Sequence, residues 1–307
     1  MDTFIQLTVD ALTLGSVYAL IALGYTLVYG VLKLLNFAHG DVFMVGSYIG
    51  FGVLQELGGT SSPVVPVWAL LVLVTLAGMA GCAVLGVAIE RFAYRPLREA
   101  PRIAPLISAL GVSFFLANSM QLLFGADPRN YNTFALSNGA LYLKGFDVGD
   151  VRVPLLRIVT ISVAFLLMIA LWFLVNRTRT GRAMRATSFD REAAAMMGIN
   201  IDRVIVFTFA LSGALAGAAG VMFALRVPTL VSIGFVAGLK GFTAAVIGGI
   251  GSIPGAMAGG LILGFAESYT QGYVSTKWSD LVVFSILIVF MIFRPQGLLG
   301  RADIRKV

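Results

Sequence analysis

The sequence predicts an all-α membrane protein, a polytopic bundle of eight or nine transmembrane helices that forms a single domain over residues 1–307. Three observations indicate this class. Of the 307 residues, 58% are hydrophobic and 12% are charged, which is about half of the ~25% charged fraction of soluble domains. Long apolar runs recur along the whole chain. The basic residues behind the net charge of +7 cluster in short segments between those runs, as in membrane proteins and not as in nucleic-acid-binding proteins.

Nine apolar runs are the candidate spans, or eight if the N-terminus or one short run does not cross. They are residues 11–32, 42–55, 64–89, 103–126, 158–176, 204–225, 232–250, 255–269 and 274–293. About 20 helical residues cross a hydrocarbon core of ~30 Å at ~1.5 Å per residue. Most of the runs reach that length and predict complete spans, whose small-residue series Gly213/Gly217, Gly251/Gly255/Gly259 and Gly46/Gly50 favour close helix packing.

Two places depart from this simple pattern. Residues 42–55 number only 14, so their helix either begins deeper, with Asp41 shielded by protein, or is partly re-entrant. Residues 247–260 are glycine-rich and have Pro254 at their centre. They predict either ordinary close packing or a broken helix that lines a pathway, since such a break at membrane depth requires a protein or water partner for the freed backbone groups.

The charges predict the orientation, because cytoplasmic loops carry an excess of Lys and Arg. Four segments are expected to be cytoplasmic: residues 33–41, 91–102 and 177–203, and the C-terminal tail from Arg294. Residues 127–152, with balanced charges, predict an external loop. The N-terminus then lies outside and the C-terminus inside. Asp2 is the only charge before Asp10, so no cleavable signal peptide is predicted.

Residues 177–203, called here the arginine-rich loop, are the most strongly charged segment. Its six arginines, Arg177, Arg179, Arg182, Arg185, Arg191 and Arg203, accompany three acids, Asp190, Glu192 and Asp202. The loop predicts a short helix with Ser188 as its N-cap and Gly198 as its C-terminal stop. Its apolar side is Phe189, Ala193, Met196 and Met197. That side either lies on the membrane domain of the same chain or docks into a groove on another protein.

A family resemblance starts from this loop. Glu192, Ala193, Ala194 and, four residues on, Gly198 look like the EAA loop of ABC-importer permeases. NFAHG, GSVYALIALGYTLVYG, AAVIGGIGSIPGAMAGG and RPQGLLG resemble LivH-type permeases of branched-chain amino acid transporters. These segments extend from end to end, so the resemblance covers nearly the whole chain. One departure is that Leu211 precedes a serine, where a Leu-Pro pair often follows the EAA pattern.

The resemblance implies a role for the loop and a set of partners. The EAA loop of that family is a cytoplasmic coupling helix held in a cleft of the ATPase, which here would use Phe189, Glu192, Ala193, Ala194, Met196, Met197 and Gly198. The implied partners are two cytoplasmic ABC ATPase subunits, a second, LivM-like permease, a periplasmic substrate-binding protein and membrane lipid. The implied location is the bacterial inner membrane, and the implied cargo is leucine, isoleucine and valine.

Six residues are candidates for the translocation path: Asn36, His39, Asp41, Lys240, Gly251 and Pro254. Ionisable groups at membrane depth are functional candidates, and Asp41 and Lys240 are the nearest to that depth. Both also lie close to the ends of apolar runs, so a partly solvated, interfacial position is an equal alternative. His39, the only histidine, is either bonded to backbone at a helix junction or has a gating role.

The residues that are missing exclude several functions. No Walker-A motif, G-x-S-x-G motif or Cys/His cluster occurs, so neither a metal nor a cofactor is expected and a membrane enzyme is poorly supported. Cys82 is the only cysteine, and we expect it to be a small packing residue.

Few ionisable groups interrupt the apolar runs, which favours a carrier powered by a partner over an ion-coupled carrier or channel. The same machinery with urea, short amides or another small solute as cargo is the main alternative.

Overall fold

The structure is a computed structural model that describes residues 2–58, 66–98, 100–101, 103–132, 145–148 and 151–300. Predictions that fall on Glu99, Arg102, Lys144, Asp150 and the tail after Gly300 lie outside these residues. Within them, the helices are α1 (Asp2–Leu32), α2 (His39–Glu56), α3 (Val67–Ile89), α4 (Ile103–Phe124), α5 (Leu155–Arg177), α6 (Arg179–Phe189), α7 (Arg191–Met196), α8 (Ile201–Ala224), α9 (Ile233–Gly248), α10 (Ile253–Tyr273) and α11 (Ser279–Phe293).

The predicted helical bundle is confirmed. A π-helical turn, Glu90–Tyr94, and a 3₁₀ turn, Arg95–Leu97, extend α3, and a second 3₁₀ turn, Thr276–Trp278, precedes α11. The described part of residues 127–152 includes strand β1 (Gly145–Val148), antiparallel to β2 (Val151–Pro154). In this hairpin the Arg152 guanidinium donates to the Asp147 carboxylate at 3.0 Å and lowers its pKa.

Six of the described helices are long and apolar enough to cross a membrane: those at α1, α3, α4, α5, α8 and α11, the last including its preceding 3₁₀ turn. The eight or nine predicted spans also included α2, α9 and α10, which are not in that set. The six differ greatly in burial. In the most apolar 18-residue stretch of α1, 89% of the residues are buried, whereas in that of α11 only 11% are buried. The bundle is therefore built around α1, with α11 at its outside.

Close helix packing is built on glycine, as the small-residue series predicted, except at Gly251, which lies in a turn and faces open space. Where α3 crosses α8, a Cβ placed on Gly213 would lie 2.1 Å from the Cys82 carbonyl oxygen. A Cβ on Gly217 would lie 2.2 Å from the Gly78 oxygen. Such distances are impossible for a side chain, so these backbones touch directly, and close van der Waals contact is what associates helices in lipid. The buried thiol of Cys82 donates to the Val42 carbonyl at 3.2 Å, which confirms a packing role.

The start of α2 is buried, although it belongs to segment 33–41, whose cytoplasmic position stays a prediction. Lys33 is exposed, but Asn36, His39 and Asp41 are all less than 5% exposed. The first turn of α2 also packs on the first turns of α9, because a Cβ on Gly40 would lie 2.7 Å from the Gly238 Cα. Of the two predicted alternatives for this helix, the structure supports the one in which protein shields Asp41.

The predicted break in residues 247–260 is a turn between two helices. Gly249 and Gly251 have positive φ angles of 101° and 97°, and Ser252 caps α10 by accepting from the Gly255 N–H at 3.2 Å. Pro254 falls in the first turn of α10, where proline is well tolerated, and not at the centre of a broken helix. The backbone N–H groups of Leu298 and Leu299 close this turn by donating to the last carbonyls of α9.

Candidate functional site

The arginine-rich loop folds as two short helices, α6 and α7, between α5 and α8. Thr178 caps α6 by accepting from the Gly181 N–H at 3.1 Å. Asp190 caps α7 by accepting from the Ala193 N–H at 3.0 Å. The predicted N-cap, Ser188, was wrong. Its hydroxyl donates to the Arg185 carbonyl inside α6, and the helix breaks at Asp190, where φ is −154°. A carboxylate accepts charge-assisted hydrogen bonds, which suits Asp190 for the position.

The end of α7 is the glycine stop that the sequence predicted. Gly198 has a φ of +82°. Its N–H donates to the Ala195 carbonyl at 2.9 Å, and the Ile199 N–H donates to the Ala194 carbonyl at 3.1 Å. These two bonds form a Schellman motif, which satisfies carbonyls that the end of a helix leaves unpaired. A six-residue helix is thus fixed at both ends by its own side-chain and backbone bonds.

The predicted apolar side is largely uncovered. Phe189 is 87% exposed, and Met196 and Met197 are each 83% exposed. Glu192 is also exposed, whereas Ala193 is half-buried and Ala194, at 4% exposure, faces the rest of the chain. One predicted detail was incorrect, because Phe189 ends α6 and does not lie on α7. Large apolar side chains exposed together mark an interaction surface. Phe189, Met196 and Met197 therefore do not pack on the described part of the chain, and docking on another protein stays a prediction.

Arg191, the first residue of α7, attaches this helix to the centre of the bundle. Its guanidinium donates to the carbonyls of Val31 at 3.2 Å and Leu32 at 2.7 Å. These are the last carbonyls of α1, which carry the negative end of its helix dipole. Burial, and secondarily the charge of Arg98, lower the pKa of Arg191. Arg185 donates in the same way to the Val175 carbonyl near the end of α5.

A groove runs beside the two short helices. It has a volume of about 400 Å³ and is lined by Thr180, Ala183, Ile199, Asn200, Arg203, Val204 and Phe207. These residues belong to α6, to the start of α8 and to the link that follows α7. The exposed side chains of Phe189, Met196 and Met197 and this groove together form a surface with both a protrusion and a depression.

The basic segment that follows α3 forms ion pairs with the end of the arginine-rich loop. Arg95 donates to the Asp202 carboxylate at 2.9 Å, and Arg98 bonds both Asp202 and Glu90. The Glu90 side chain is 1% exposed, so Arg98 neutralises a buried carboxylate. The network joins the end of α3 to the start of α8. Nothing in the sequence pattern had identified Glu90 or this pairing.

The first three translocation-path candidates lie together around the start of α2. The Asn36 side-chain oxygen accepts from the Ala38 N–H and the Tyr94 hydroxyl, both at 3.2 Å. The His39 ring lies edge-on to Tyr25, 4.7 Å between centroids, and its Nδ1 is 3.3 Å from the Ser212 hydroxyl.

Asp41 belongs to the same group, since it accepts a hydrogen bond from Ser113 of α4. The three side chains therefore join the start of α2 to α1, α3, α4 and α8.

Lys240, the fourth candidate, lies in a separate charged cluster. Its Nζ is 2.7 Å from the Glu267 carboxylate and 2.8 Å from that of Asp280. The Tyr18 hydroxyl donates to the other Glu267 oxygen at 2.9 Å. Lys240 and Glu267 are buried among the described residues, at 7% and 4% exposure. The interfacial alternative for Lys240 stays a prediction.

Sequence reasoning missed Glu267, although a lone acid inside the apolar run 255–269 was a visible signal. The last two candidates, Gly251 and Pro254, are exposed at the turn between α9 and α10. The structure therefore does not bring the six candidates into one site.

Six long apolar helices among the described residues, packed around α1, indicate a multi-pass membrane protein. The chain belongs to the branched-chain amino acid transport system permease family, whose model matches residues 7–291. It is 43% identical over 309 residues to the high-affinity branched-chain amino acid transport system permease protein LivH of Escherichia coli K12, covering 99% of this chain and 98% of LivH.

Two further relatives support the assignment. BraD, a high-affinity branched-chain amino acid transport system permease protein of Pseudomonas aeruginosa, is 42% identical to this chain over 305 residues. The match covers 99% of this chain and 98% of BraD. LivM, a second permease protein of the Escherichia coli system, is 27% identical over 319 residues, covering 95% of this chain and 70% of LivM.

Proposed function

We propose that this chain is the membrane-spanning subunit of an ATP-driven importer of leucine, isoleucine and valine. The full-length similarity to LivH and BraD, both named for branched-chain amino acid transport, is the observation that carries the proposal. The chain acts as one permease domain over residues 1–307, and ATP hydrolysis takes place on partner subunits.

The arginine-rich loop is the coupling site in this proposal. Its seven coupling residues are Phe189, Glu192, Ala193, Ala194, Met196, Met197 and Gly198. The exposure of Phe189, Met196 and Met197 supports insertion of this surface into a cytoplasmic ABC ATPase, since uncovered aromatic and methionine side chains are typical of docking surfaces. Movement of the ATPases then displaces α7, and Arg191 carries that displacement to α1.

The remaining partners follow from the same scheme. A periplasmic binding protein delivers the amino acid, and a second permease pairs with this one, which the similarity to LivM supports. The complex lies in the bacterial inner membrane, with the N-terminus outside and the C-terminus in the cytoplasm, as the arginine distribution favours. The translocation path passes near Asn36, His39, Asp41 and Lys240, with Gly251 and Pro254 at its cytoplasmic end.

Reconstitution tests the proposed function directly. The chain is co-purified with the proposed ATPases, second permease and binding protein and placed in liposomes that contain ATP. Import of radiolabelled leucine that requires every partner is the expected result. Import of urea or short amides but not of leucine would show that the cargo is a different small solute. Transport without the ATPases would show that the protein is an ion-coupled carrier or channel and not an ABC importer.

A further inference from the structure

A cavity of about 230 Å³ lies between α1, α8, α9 and α10. Its wall includes the apolar side chains of Leu14, Phe223 and Ile233. It also carries charges of both signs, from Arg226, Lys240 and Glu267, together with Tyr18 and Gln271. The volume is below the ~300–1,000 Å³ of drug-sized sites, so the cavity fits a small molecule. Its chemistry suits a small molecule that carries both charges and a hydrocarbon group.

Stability does not explain the ion pair inside this cavity. Lys240 and Glu267 have side chains only 8% and 5% exposed. Removing two such charges from water usually costs as much as their attraction returns, and apolar replacements are often neutral or stabilising. Ionisable residues placed within an apolar bundle are therefore functional candidates.

The hydrogen bonds leave room for a ligand. Glu267 accepts hydrogen bonds from three donors: Lys240, Tyr18 and Gln271, the last at 3.1 Å. Lys240 is held less tightly, because its second partner, Asp280, is 61% exposed. Water can solvate Asp280 when Lys240 leaves it. An ammonium also has three N–H donors, so Lys240 can bond a ligand carboxylate while it keeps Glu267.

We propose that this cavity is a substrate site of the permease itself and binds the zwitterionic head of an aliphatic amino acid. Lys240 bonds the α-carboxylate, Glu267 and Tyr18 receive the α-ammonium, and the branched side chain lies against Leu14, Phe223 and Ile233. The inference rests on the proposed function. The cavity would select the substrate a second time, after the binding protein, because it requires both charged groups of the amino acid.

Binding to the purified complex without the binding protein tests this site. Leucine is compared with 4-methylpentanoate, which lacks the ammonium, and with 3-methylbutylamine, which lacks the carboxylate. The wild-type complex should bind leucine about tenfold more tightly than either analogue. Glu267→Gln should reduce leucine binding to the level of 4-methylpentanoate, and Lys240→Met should reduce it to that of the amine. Asp147→Asn, which breaks an exposed ion pair in the hairpin, should change nothing.

A second variant separates binding from folding. Val236 lines the cavity and is 44% exposed, so Val236→Trp narrows the space while Lys240 and Glu267 both remain in the chain. It should keep the thermal stability of the complex and lose leucine binding by about tenfold. Unchanged leucine binding in Val236→Trp, or in the double variant Lys240→Met/Glu267→Gln, overturns the site. Leucine import by the wild type would still stand in that case, so this failure is distinct from failure of the proposed function.

Discussion

The guanidinium of Arg191 donates a 2.7 Å hydrogen bond to the carbonyl oxygen of Leu32. This contact joins the short exposed helix α7 to the last turn of the most buried long helix. Arg191→Gln should therefore uncouple ATP hydrolysis from transport. Hydrolysis should continue, while transport per ATP falls about fivefold or more, the low end of coupling free energies of ~1–3 kcal/mol. The measurement is leucine import against phosphate release in proteoliposomes. The exposed Arg182→Gln is the control, and equal coupling ratios in the two variants would contradict the role of Arg191.

The Schellman turn at Gly198 should be essential for uptake. Glu192→Ala combined with Gly198→Pro is expected to abolish leucine uptake and leave membrane insertion intact. Proline fixes φ near −65° and lacks an N–H, whereas Gly198 needs +82° and donates to Ala195. Gly125→Pro is the matched control. Gly125 also has a positive φ and donates to a helix carbonyl, but at the end of α4. Normal uptake by the double variant would remove the coupling role from this loop.

The packing of His39 on α1 should tolerate no added methyl group. A Cβ on Gly24 would lie 2.2 Å from the His39 Nε2, whereas Gly30 of the same helix faces open space. Gly24→Ala should lower the stability by about 1–3 kcal/mol, the usual cost of overpacking, and Gly30→Ala should not. Thermal unfolding in detergent measures both. Equal melting temperatures would show that the ring has another position available.

The buried carboxylate of Glu90 should depend on Arg98. Arg98→Met leaves this carboxylate without its cation, and loss of one partner of a buried pair costs about 3–5 kcal/mol. Arg95→Met removes only a pair whose members are about half exposed, and such a pair contributes ~0–1 kcal/mol. Unfolding of the two variants in detergent should differ accordingly. If Arg98→Met were no worse than Arg95→Met, water would be solvating Glu90.

Cysteine labelling checks the proposed orientation. Cys82 is fully buried, so the wild-type chain should not react with an impermeant maleimide. Asp147→Cys in the hairpin should react in intact cells, and Arg182→Cys should react only after the membrane is opened. Reaction of Arg182→Cys in intact cells would place the arginine-rich loop outside and would end the coupling proposal.

Sequence patterns predicted the features that depend on local rules. Apolar runs located the helices, and the positive φ of Gly198 was visible as a glycine after a helical pattern. The patterns failed where the outcome depended on three-dimensional neighbours. Ser188 and Asp190 are both residue types that cap helices well. Asp190 is the cap because the backbone leaves the helical conformation there, between α6 and α7. Glu267 looked like an interruption of an apolar run because its partners, Lys240 and Tyr18, are 27 and 249 residues away in sequence.

The position of α1 has a consequence for biogenesis. This helix is synthesised before the other described helices, and three of those that bury it, α8, α9 and α10, begin only at residue 201. During most of translation α1 must reside in lipid without them, which its own hydropathy of 1.8 permits. A chain released before residue 253 would keep the face for α10 open to the bilayer. An insertase or membrane protease that recognises that face could tell an unfinished permease from a finished one.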